Sequence, residues 1–299
     1  INPSFLIQQL APSTLNSGNA TSRIADMWAL VCITSAASIT NSLVAVETPN
    51  GSPNRMRAVV ATADTSLAAG EYFQLLTAIE GYRLNDLRWG SASARPIFIR
   101  FGFKGPAGTY SINVRNVAGD RCYLSSFTVT GGEADTDTVQ SFSVPGDTSG
   151  TWGKTSGVGM YLSIAFAVGS TYLGTGNVWG SSNLLGVTGM SNGMGATGTF
   201  EVFDVELYTN DYETPPKWCQ QMSGQVILDC FRYLFVTANT VVETNALSQT
   251  FTLPVAMRAN PTISGGGAGF TVAVPHFQTI HFYQTTRAYQ PLVFDARLV

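Results

Sequence analysis

The chain has 299 residues, of which 44% are hydrophobic and 12% are charged, and its formal net charge is −3. This balance excludes an intrinsically disordered chain, because disorder requires low hydrophobicity and a large charge imbalance. Nucleic-acid binding is disfavoured, because Lys and Arg do not cluster as counterion release from phosphates requires. Membrane insertion is disfavoured too, because the longest apolar stretch, Met27–Ile33, is far shorter than the ~20 residues of a spanning helix.

Apolar residues recur mostly at every second position, the period of a strand with one buried face. Thirty Gly and thirteen Pro predict frequent turns between such strands. Together they predict an all-β fold, an antiparallel β-sandwich or jelly roll over residues 1–214. About nine strands are expected, at Met27–Ile33, Arg57–Ala61, Glu71–Ile79, Ile97–Phe103, Thr109–Arg115, Arg121–Val129, Thr138–Val144, Met160–Val168 and Gly198–Tyr208.

A polar segment ending in Pro215-Pro216 predicts a domain boundary, because a double proline cannot extend a sheet ladder. Residues 215–299 are therefore expected to form a smaller C-terminal β domain. Its opening, Gln220–Phe235, suits either a short helix or a strand. Strands are predicted beyond it at Phe251–Met257, an edge strand because of Pro254, and at Phe270–Val274, Ile280–Tyr283 and Leu292–Phe294.

Catalytic and redox motifs are absent from the sequence pattern. The four cysteines form no C-x-x-C pair and are expected to be buried thiols. His276 and His281 are five residues apart, which places them on opposite faces of a strand and disfavours a triad or a metal pair. No G-x-S-x-G motif is present either. The sequence therefore predicts a protein that is not an enzyme.

Two groups of carboxylates could hold a catalytic or metal site. Asp204 and Glu206 have the spacing of a glycosidase pair, but their alternation with apolar residues favours a solvated strand face. The acidic turn Glu133, Asp135 and Asp137 favours a solvated loop, with a structural calcium ion as the alternative. No other cofactor is expected.

The most informative loop is Gly169–Asn183, which is long, rich in Gly and placed between two predicted strands. Pyranose rings stack on aromatic side chains while amides bind their hydroxyls. A glycan site is therefore predicted from Tyr172, Asn177, Trp179 and Asn183, joined by Trp152 from another Gly-rich turn. The alternative is that both tryptophans plug the end of the sandwich or line a subunit interface.

Ordered segments of the chain resemble a family of tailed-bacteriophage tail-fibre-like or receptor-binding virion proteins. The opening Asn2–Gln9 is similar to the family's N-x-x-F-x-I-x-Q, and Asp26-Met27-Trp28 to its D-R-W, with Met27 in place of Arg. The later segments Ile79–Tyr82, Leu87–Pro96, Val144–Trp152, Cys230–Tyr233 and Pro254–Pro261 resemble I-E-G-Y, L-x-W-G-T-A-x-A-K-P, I-P-G-D-T-x-G-T-W, C-Q-R-Y and P-V-x-M-R-x-x-P.

This resemblance implies a jelly roll of the galactose-binding or carbohydrate-binding-module type at the surface of a virion. The expected role is a tail fibre or receptor-binding component that recognises host cell-surface polysaccharide without catalysis. The alternative role is a capsid decoration or head-fibre protein acting through protein–protein contacts. Expected partners are other virion proteins and further copies of the chain, as a homotrimer. The family offers no ligand motif that transfers to this chain.

Overall fold

A computed structural model describes residues 2–16, 21–209, 223–237, 240–242, 249–265, 270–274, 279–284 and 288–298. The chain divides into two compact units, an N-terminal unit up to Gln220 and a C-terminal unit from Gln221. The boundary predicted between residues 214 and 215 lies outside the described residues and stays a prediction. Within the described residues, no helix is both long and apolar enough to span a membrane.

Strands and two 3-10 helices make up the regular structure described in the N-terminal unit. In chain order they are β1 Thr21–Ala25, β2 Trp28–Ile33, β3 Ser38–Val44, β4 Arg55–Thr62, β5 Tyr72–Glu80, η1 Gly81–Leu87, β6 Ile97–Lys104, β7 Gly108–Arg115, β8 Cys122–Val129, β9 Thr138–Val144, β10 Val158–Val168, η2 Ser170–Tyr172, β11 Leu173–Gly174, β12 Trp179–Gly180, β13 Gly186–Val187 and β14 Gly198–Tyr208.

These strands form a sandwich of two antiparallel sheets, which confirms the predicted fold class. The seven-stranded sheet has the order β1-β2-β5-β10-β7-β8-β12, and the five-stranded sheet has the order β3-β4-β14-β6-β9. A short parallel pair, β11 with β13, is separate from both. All nine predicted strands are present, while β1 and β3 were not predicted because Ser, Thr and Asn interrupt their apolar pattern.

Aromatic rings fill the space between the two sheets. Phe166 of β10 lies 5.0 Å from Phe200 of β14, and Phe101 of β6 lies 5.5 Å from Phe127 of β8, measured between ring centroids. Phe73 of β5 packs on Phe166 at 4.8 Å. All of these rings are buried. Each ring removes a large apolar area from water, so this layer is the main source of stability for the unit.

Strand β14 departs from regular alternation in the middle of its length. Its register shifts between Phe203 and Glu206, and Asp204 has a φ of 51°. Phe203 lies across Gly102 of β6, where an added Cβ would come within 1.9 Å of the ring. The expectation of a solvated carboxylate face is wrong here: the bulge turns the chain, so that Asp204 and Glu206 are only 1% and 7% exposed.

Cys32, Cys122 and Cys230 are free and buried, as expected. Burial, with added repulsion from Glu71 and Asp64, raises the pKa of Cys32 to about 12, which keeps this thiol protonated and inert. Cys219 lies outside the described residues.

The C-terminal unit opens with helix α1, Ser223–Phe231, which resolves the ambiguous segment in favour of a helix followed by a strand. Its core contains Leu253, Met257, Leu292, Phe294 and Ala296. Its strands are β15 Leu234–Val236, β16 Thr240–Val242, β17 Gln249–Thr252, β18 Thr262–Gly265, β19 Phe270–Val274, β20 Thr279–Gln284, β21 Ala288–Gln290 and β22 Leu292–Asp295. They form three small sheets, with the orders β15-β22-β18, β16-β21 and β17-β20-β19.

One strand predicted in this unit is wrong over most of its length. The segment Phe251–Met257 is extended only to Thr252, where β17 ends. Pro254 follows two residues later, and proline cannot donate a hydrogen bond to a ladder. Of the two histidines, His281 lies in β20, and His276 lies outside the described residues.

Candidate functional site

Three tryptophans from separate segments of the N-terminal unit meet in one place, here named the tryptophan cluster: Trp89, Trp152 and Trp179. Their ring centroids lie 4.6 Å (Trp89–Trp152), 5.3 Å (Trp89–Trp179) and 5.7 Å (Trp152–Trp179) apart, each pair edge to face. Tyr123 of β8 adds a fourth ring, 5.4 Å from Trp179. The predicted proximity of Trp152 and Trp179 is present in the structure, with Trp89 as a member that the sequence analysis missed.

Every indole N–H of the tryptophan cluster has a hydrogen-bond acceptor. Trp89 Nε1 donates to the carbonyl of Arg95 at 2.6 Å, and Trp179 Nε1 donates to the carbonyl of Pro145 at 3.0 Å. Trp152 Nε1 donates to Asp147 Oδ2 at 3.0 Å. The cluster is therefore already satisfied within the protein, as expected for a structural plug.

Asp147 ties this cluster to β8. Its carboxylate is buried and accepts two bonds from the guanidinium of Arg121, at 2.8 and 2.5 Å. Burial alone would raise the pKa of Asp147, but hydrogen bonds from Arg121, Ser149 and Trp152 hold it below its usual range. The same hydrogen bond raises the pKa of Arg121. Both groups therefore stay charged in the folded protein.

A pocket with an empty volume of about 270 Å³ lies beside the tryptophan cluster, between η1 and the segment that contains Trp152. Trp89 and Trp152 line it but are only 4% and 7% exposed. Stacking on a sugar requires an open ring face, so this pocket does not offer a stacking platform.

A different set of side chains projects from the outer face of the seven-stranded sheet. Strand register places Gln74 of β5 opposite Ala165 of β10, and Arg115 of β7 opposite Tyr161 of β10. Cross-strand partners point to the same side of an antiparallel sheet, and residues two apart on a strand share a face. This outer surface is here named the tyrosine face, defined by Tyr72, Gln74, Arg115, Tyr161 and Tyr172.

The segment that follows the predicted loop is bonded to β7, and the N–H of Leu185 in this segment donates to the carbonyl of Tyr172 at 2.8 Å. Asn113 Nδ2 donates to the carbonyl of Leu185 at 3.0 Å, and the N–H of Val187 donates to Ser111 Oγ at 2.9 Å. This places Tyr172 against Tyr72, with ring centroids 5.5 Å apart and edge to face. Asn183 Oδ1 accepts a bond from Arg115 Nη1 at 3.2 Å. Of the predicted loop residues, Tyr172 thus belongs to the tyrosine face, and Asn183 is bonded to its arginine.

Polar atoms of the tyrosine face are left without partners in the described part of the chain. Gln74 is 2% exposed, and its Oε1 accepts no hydrogen bond there. Nε of Arg115 is likewise buried and donates to no acceptor. An unpaired buried polar atom costs about 1–3 kcal/mol, so such atoms are rare and require an explanation.

The charges of this face follow from burial. Burial lowers the pKa of Arg115, although Tyr161 and Tyr72 oppose that shift. Burial also raises the pKa of Tyr72, and Tyr172 adds to the increase while Arg115 reduces it. Tyr72 therefore remains neutral at physiological pH, and Arg115 is the cation beside it. The guanidinium lies over the ring of Tyr161, 4.6 Å from its centroid.

Asn177 is the remaining residue of the predicted glycan site. It has a φ of 60°, its N–H donates to the carbonyl of Leu124 at 2.6 Å, and its Oδ1 accepts from Ser125 Oγ at 2.9 Å. These bonds fasten the loop to β8 next to Trp179. The predicted set is therefore divided among the tryptophan cluster, the tyrosine face and an anchor between them.

The acidic turn is occupied by bonds within the protein. Asp137 forms a two-point ion pair with Arg55, at 2.7 and 2.8 Å. Glu133 accepts from the N–H and hydroxyl of Thr130, and these bonds lower its pKa. The backbone of Asp135 bonds to Gly105. The described residues contain no group of three or more His, Cys, Asp or Glu side chains arranged to hold a metal ion.

Four residues of the tyrosine face were missed by the sequence analysis: Tyr72, Gln74, Arg115 and Tyr161. The available signal was that Arg115 shares the polar side of β7 with Asn113, but a polar strand side is usually just solvated. Their meeting depends on the pairing of β5, β10 and β7, which sequence periodicity does not specify.

Comparisons with known proteins find similarity only at the level of structure. No protein-family model matches the chain, and no curated protein matches it. Among solved structures, it is similar to the enzymatically active domain of tailspike protein 4 of bacteriophage CBA120, with 10% identity and a TM-score of 0.32, over 60% of this chain and 19% of that one. The chain thus spans about a fifth of the tailspike's length.

Two carbohydrate-binding modules are also similar. The family 11 module of the cellulase Lic26A-Cel5E of Clostridium thermocellum has 13% identity and a TM-score of 0.32, over 69% of this chain and all of that one. A family 30 module has 11% identity and a TM-score of 0.34, over 73% of this chain and 92% of that one. These likenesses concern the β-sandwich alone.

Proposed function

We propose that this protein is a non-enzymatic component of a bacteriophage virion, a tail fibre or receptor-binding protein, and that its tyrosine face binds host cell-surface glycan. The virion assignment is supported by the ordered resemblance of segments from Asn2 to Pro261 to tail-fibre-like proteins. The glycan assignment is supported by the chemistry of the tyrosine face.

The observation that carries the proposal is the pairing of half-buried aromatic rings with buried polar atoms that lack partners in the described residues. Tyr72, Tyr161 and Tyr172 are all partly exposed, and tyrosine rings stack on the apolar C–H faces of sugars. Between them, Oε1 of Gln74 is an unused acceptor and Nε of Arg115 an unused donor. Sugar hydroxyls are both donors and acceptors, so a glycan would satisfy both atoms.

The role proposed is binding without catalysis. Two of the buried carboxylates are held by arginines, Asp147 by Arg121 and Glu201 by Arg55 and Arg57. A carboxylate held in this way is structurally engaged, which suits a scaffold better than a general acid.

Each site would bind weakly, so several copies per virion would supply avidity. A homotrimer is the proposed assembly, and other virion proteins are its proposed neighbours. Binding of the full chain, displayed at high valency on a bead, to an array of bacterial envelope glycans tests the proposal. We expect Tyr72→Ala and Tyr161→Ala each to abolish bead binding, because both remove a stacking ring.

Tyr82→Ala is the matched control, because Tyr82 is 58% exposed and lies on η1, outside the tyrosine face. It should leave binding unchanged. Absence of binding to every glycan by the unmodified chain would overturn the glycan role. Labelling of intact particles would locate the protein, and a position on the head lattice would favour a decoration protein instead of a tail component.

A further inference from the structure

Arg115 is the cation of the tyrosine face, and its surroundings restrict what can bind there. Its guanidinium is half-buried, covered on one side by the ring of Tyr161 at 4.6 Å. Nη1 donates to Oδ1 of the exposed Asn183. Nε donates to no acceptor in the described part of the chain. This Nε is also shielded from solvent, so one edge of the planar group is unpaired but covered.

No carboxylate compensates this charge among the described residues. The ionisable groups whose fields reach Arg115 are Tyr161, Tyr72 and Cys122, and none of them is a carboxylate. Two other arginines of the N-terminal unit differ, because Arg55 pairs with Asp137 and Glu201, and Arg121 pairs with Asp147. Buried charges are normally paired.

The geometry of the guanidinium suits a particular kind of anion. The guanidinium presents its donors in a rigid planar fork, which matches the two oxygens of a carboxylate or phosphate group. A neutral sugar hydroxyl could satisfy the hydrogen bond of Nε but would leave the charge uncompensated. Neighbouring tyrosines would hold the sugar ring while the fork holds its anionic group.

We infer that the tyrosine face selects an acidic glycan, whose carboxylate or phosphate group binds the unpaired Nε edge of Arg115. This inference rests on the proposed glycan-binding function and narrows it to one class of ligand. It excludes neutral polysaccharides as the preferred ligand.

The test begins with an array in which neutral, uronate-containing and phosphodiester-linked bacterial glycans are represented equally, probed with the full chain. The strongest acidic ligand is then compared, by calorimetry, with a neutral counterpart: the carboxyl-reduced oligosaccharide for a uronate, or the dephosphorylated one for a phosphodiester. We expect the acidic form to bind at least about tenfold more tightly, because a hydrogen bond to a charged group contributes about 1.5–3 kcal/mol.

Variants of Arg115 separate charge from shape. Arg115→Met should reduce affinity for the acidic ligand by about tenfold to a hundredfold and should leave affinity for the neutral counterpart within about twofold of the unmodified protein. Arg115→Lys keeps the charge without the fork, so an intermediate affinity is expected. Arg95→Met is the control, because Arg95 is exposed and contacts Trp89 through its carbonyl. Equal melting temperatures establish that each variant is folded.

The experiment distinguishes failure of the acidic-glycan inference from failure of the proposed glycan-binding function. Binding to neutral glycans as tight as to acidic ones, unaffected by Arg115→Met, would overturn the acidic ligand and leave glycan binding in place. No binding to any glycan would overturn the proposed function itself. Preference for the uronate or for the phosphodiester glycan would support the inference and identify the source of the anion.

Discussion

The tryptophan cluster and the tyrosine face both gather aromatic rings in the N-terminal unit, but they treat their polar atoms differently. All three indole N–H groups of the cluster have acceptors, and its arginine, Arg121, has a buried carboxylate. On the tyrosine face, Gln74 Oε1 and Arg115 Nε have no partner among the described residues. Aromatic content alone therefore does not mark a binding surface; incomplete hydrogen bonding beside aromatic rings is the more informative sign.

The largest expected loss of stability comes from removing one indole ring of the tryptophan cluster. Trp152→Ala should lower the free energy of unfolding by about 3–5 kcal/mol, because it removes a buried indole and leaves a cavity between Trp89 and Trp179. Guanidinium denaturation followed by tryptophan fluorescence would measure it. Glycan binding by the folded fraction should persist. A stable Trp152→Ala protein that no longer binds glycan would show that the two regions have been assigned the wrong way round.

A smaller loss in the free energy of unfolding is expected from Asp147→Asn. This change keeps the shape of the side chain but leaves Arg121 without a counter-charge, and breaking a buried ion pair costs up to about 3–5 kcal/mol. We expect about 2–3 kcal/mol, because the Arg121 side chain is 18% exposed and water can partly solvate it. Urea denaturation at pH 7 is the measurement, and Asp86→Asn, at an exposed position on η1, is the control.

Acid should remove the difference in the free energy of unfolding between the unmodified protein and Asp147→Asn. The pKa of Asp147 is lower in the folded protein than its usual value, so its stabilisation is present above the ordinary aspartate pKa of about 3.9 and is lost as the pH falls through the lower folded value. The gap in unfolding free energy between the unmodified protein and Asp147→Asn should therefore narrow from pH 5 to pH 2. A gap that is constant over this range would contradict the assigned ion pair.

The smallest change in stability is expected on the tyrosine face. Gln74→Met removes an acceptor that has no described partner and keeps the side-chain length, so the free energy of unfolding should be unchanged or higher by up to about 1 kcal/mol. Glycan affinity should nevertheless fall. Gln140→Met is the comparison, because Gln140 Nε2 donates to Thr138 Oγ1 at 3.2 Å, and it should be slightly destabilising. A marked loss of stability in Gln74→Met would indicate a structural role for Gln74.

Sequence periodicity predicted the sandwich because strands with one buried face repeat with a period of two. It failed at Asp204, where a bulge buries a carboxylate that alternation would expose, and at Pro254, where apolar residues continue after the strand has ended. For the candidate site, the amino-acid composition of the loop that contains Tyr172 and Asn183 was the signal that identified it. The partners of that loop, Tyr72 and Arg115, lie on different strands, and only the order β5-β10-β7 brings them onto one surface.

The attachment of this loop has a consequence for how the protein could diversify. Just after the loop, at Leu185 and Val187, the bonds to β7 use main-chain groups, which every residue other than proline provides at these positions. Side chains at the exposed positions Thr175, Val178 and Ser181 can therefore be exchanged while the main-chain anchors remain. We expect natural variants of this chain to differ at such positions and to retain Ser111 and Asn113, whose side chains hold the segment after the loop in place.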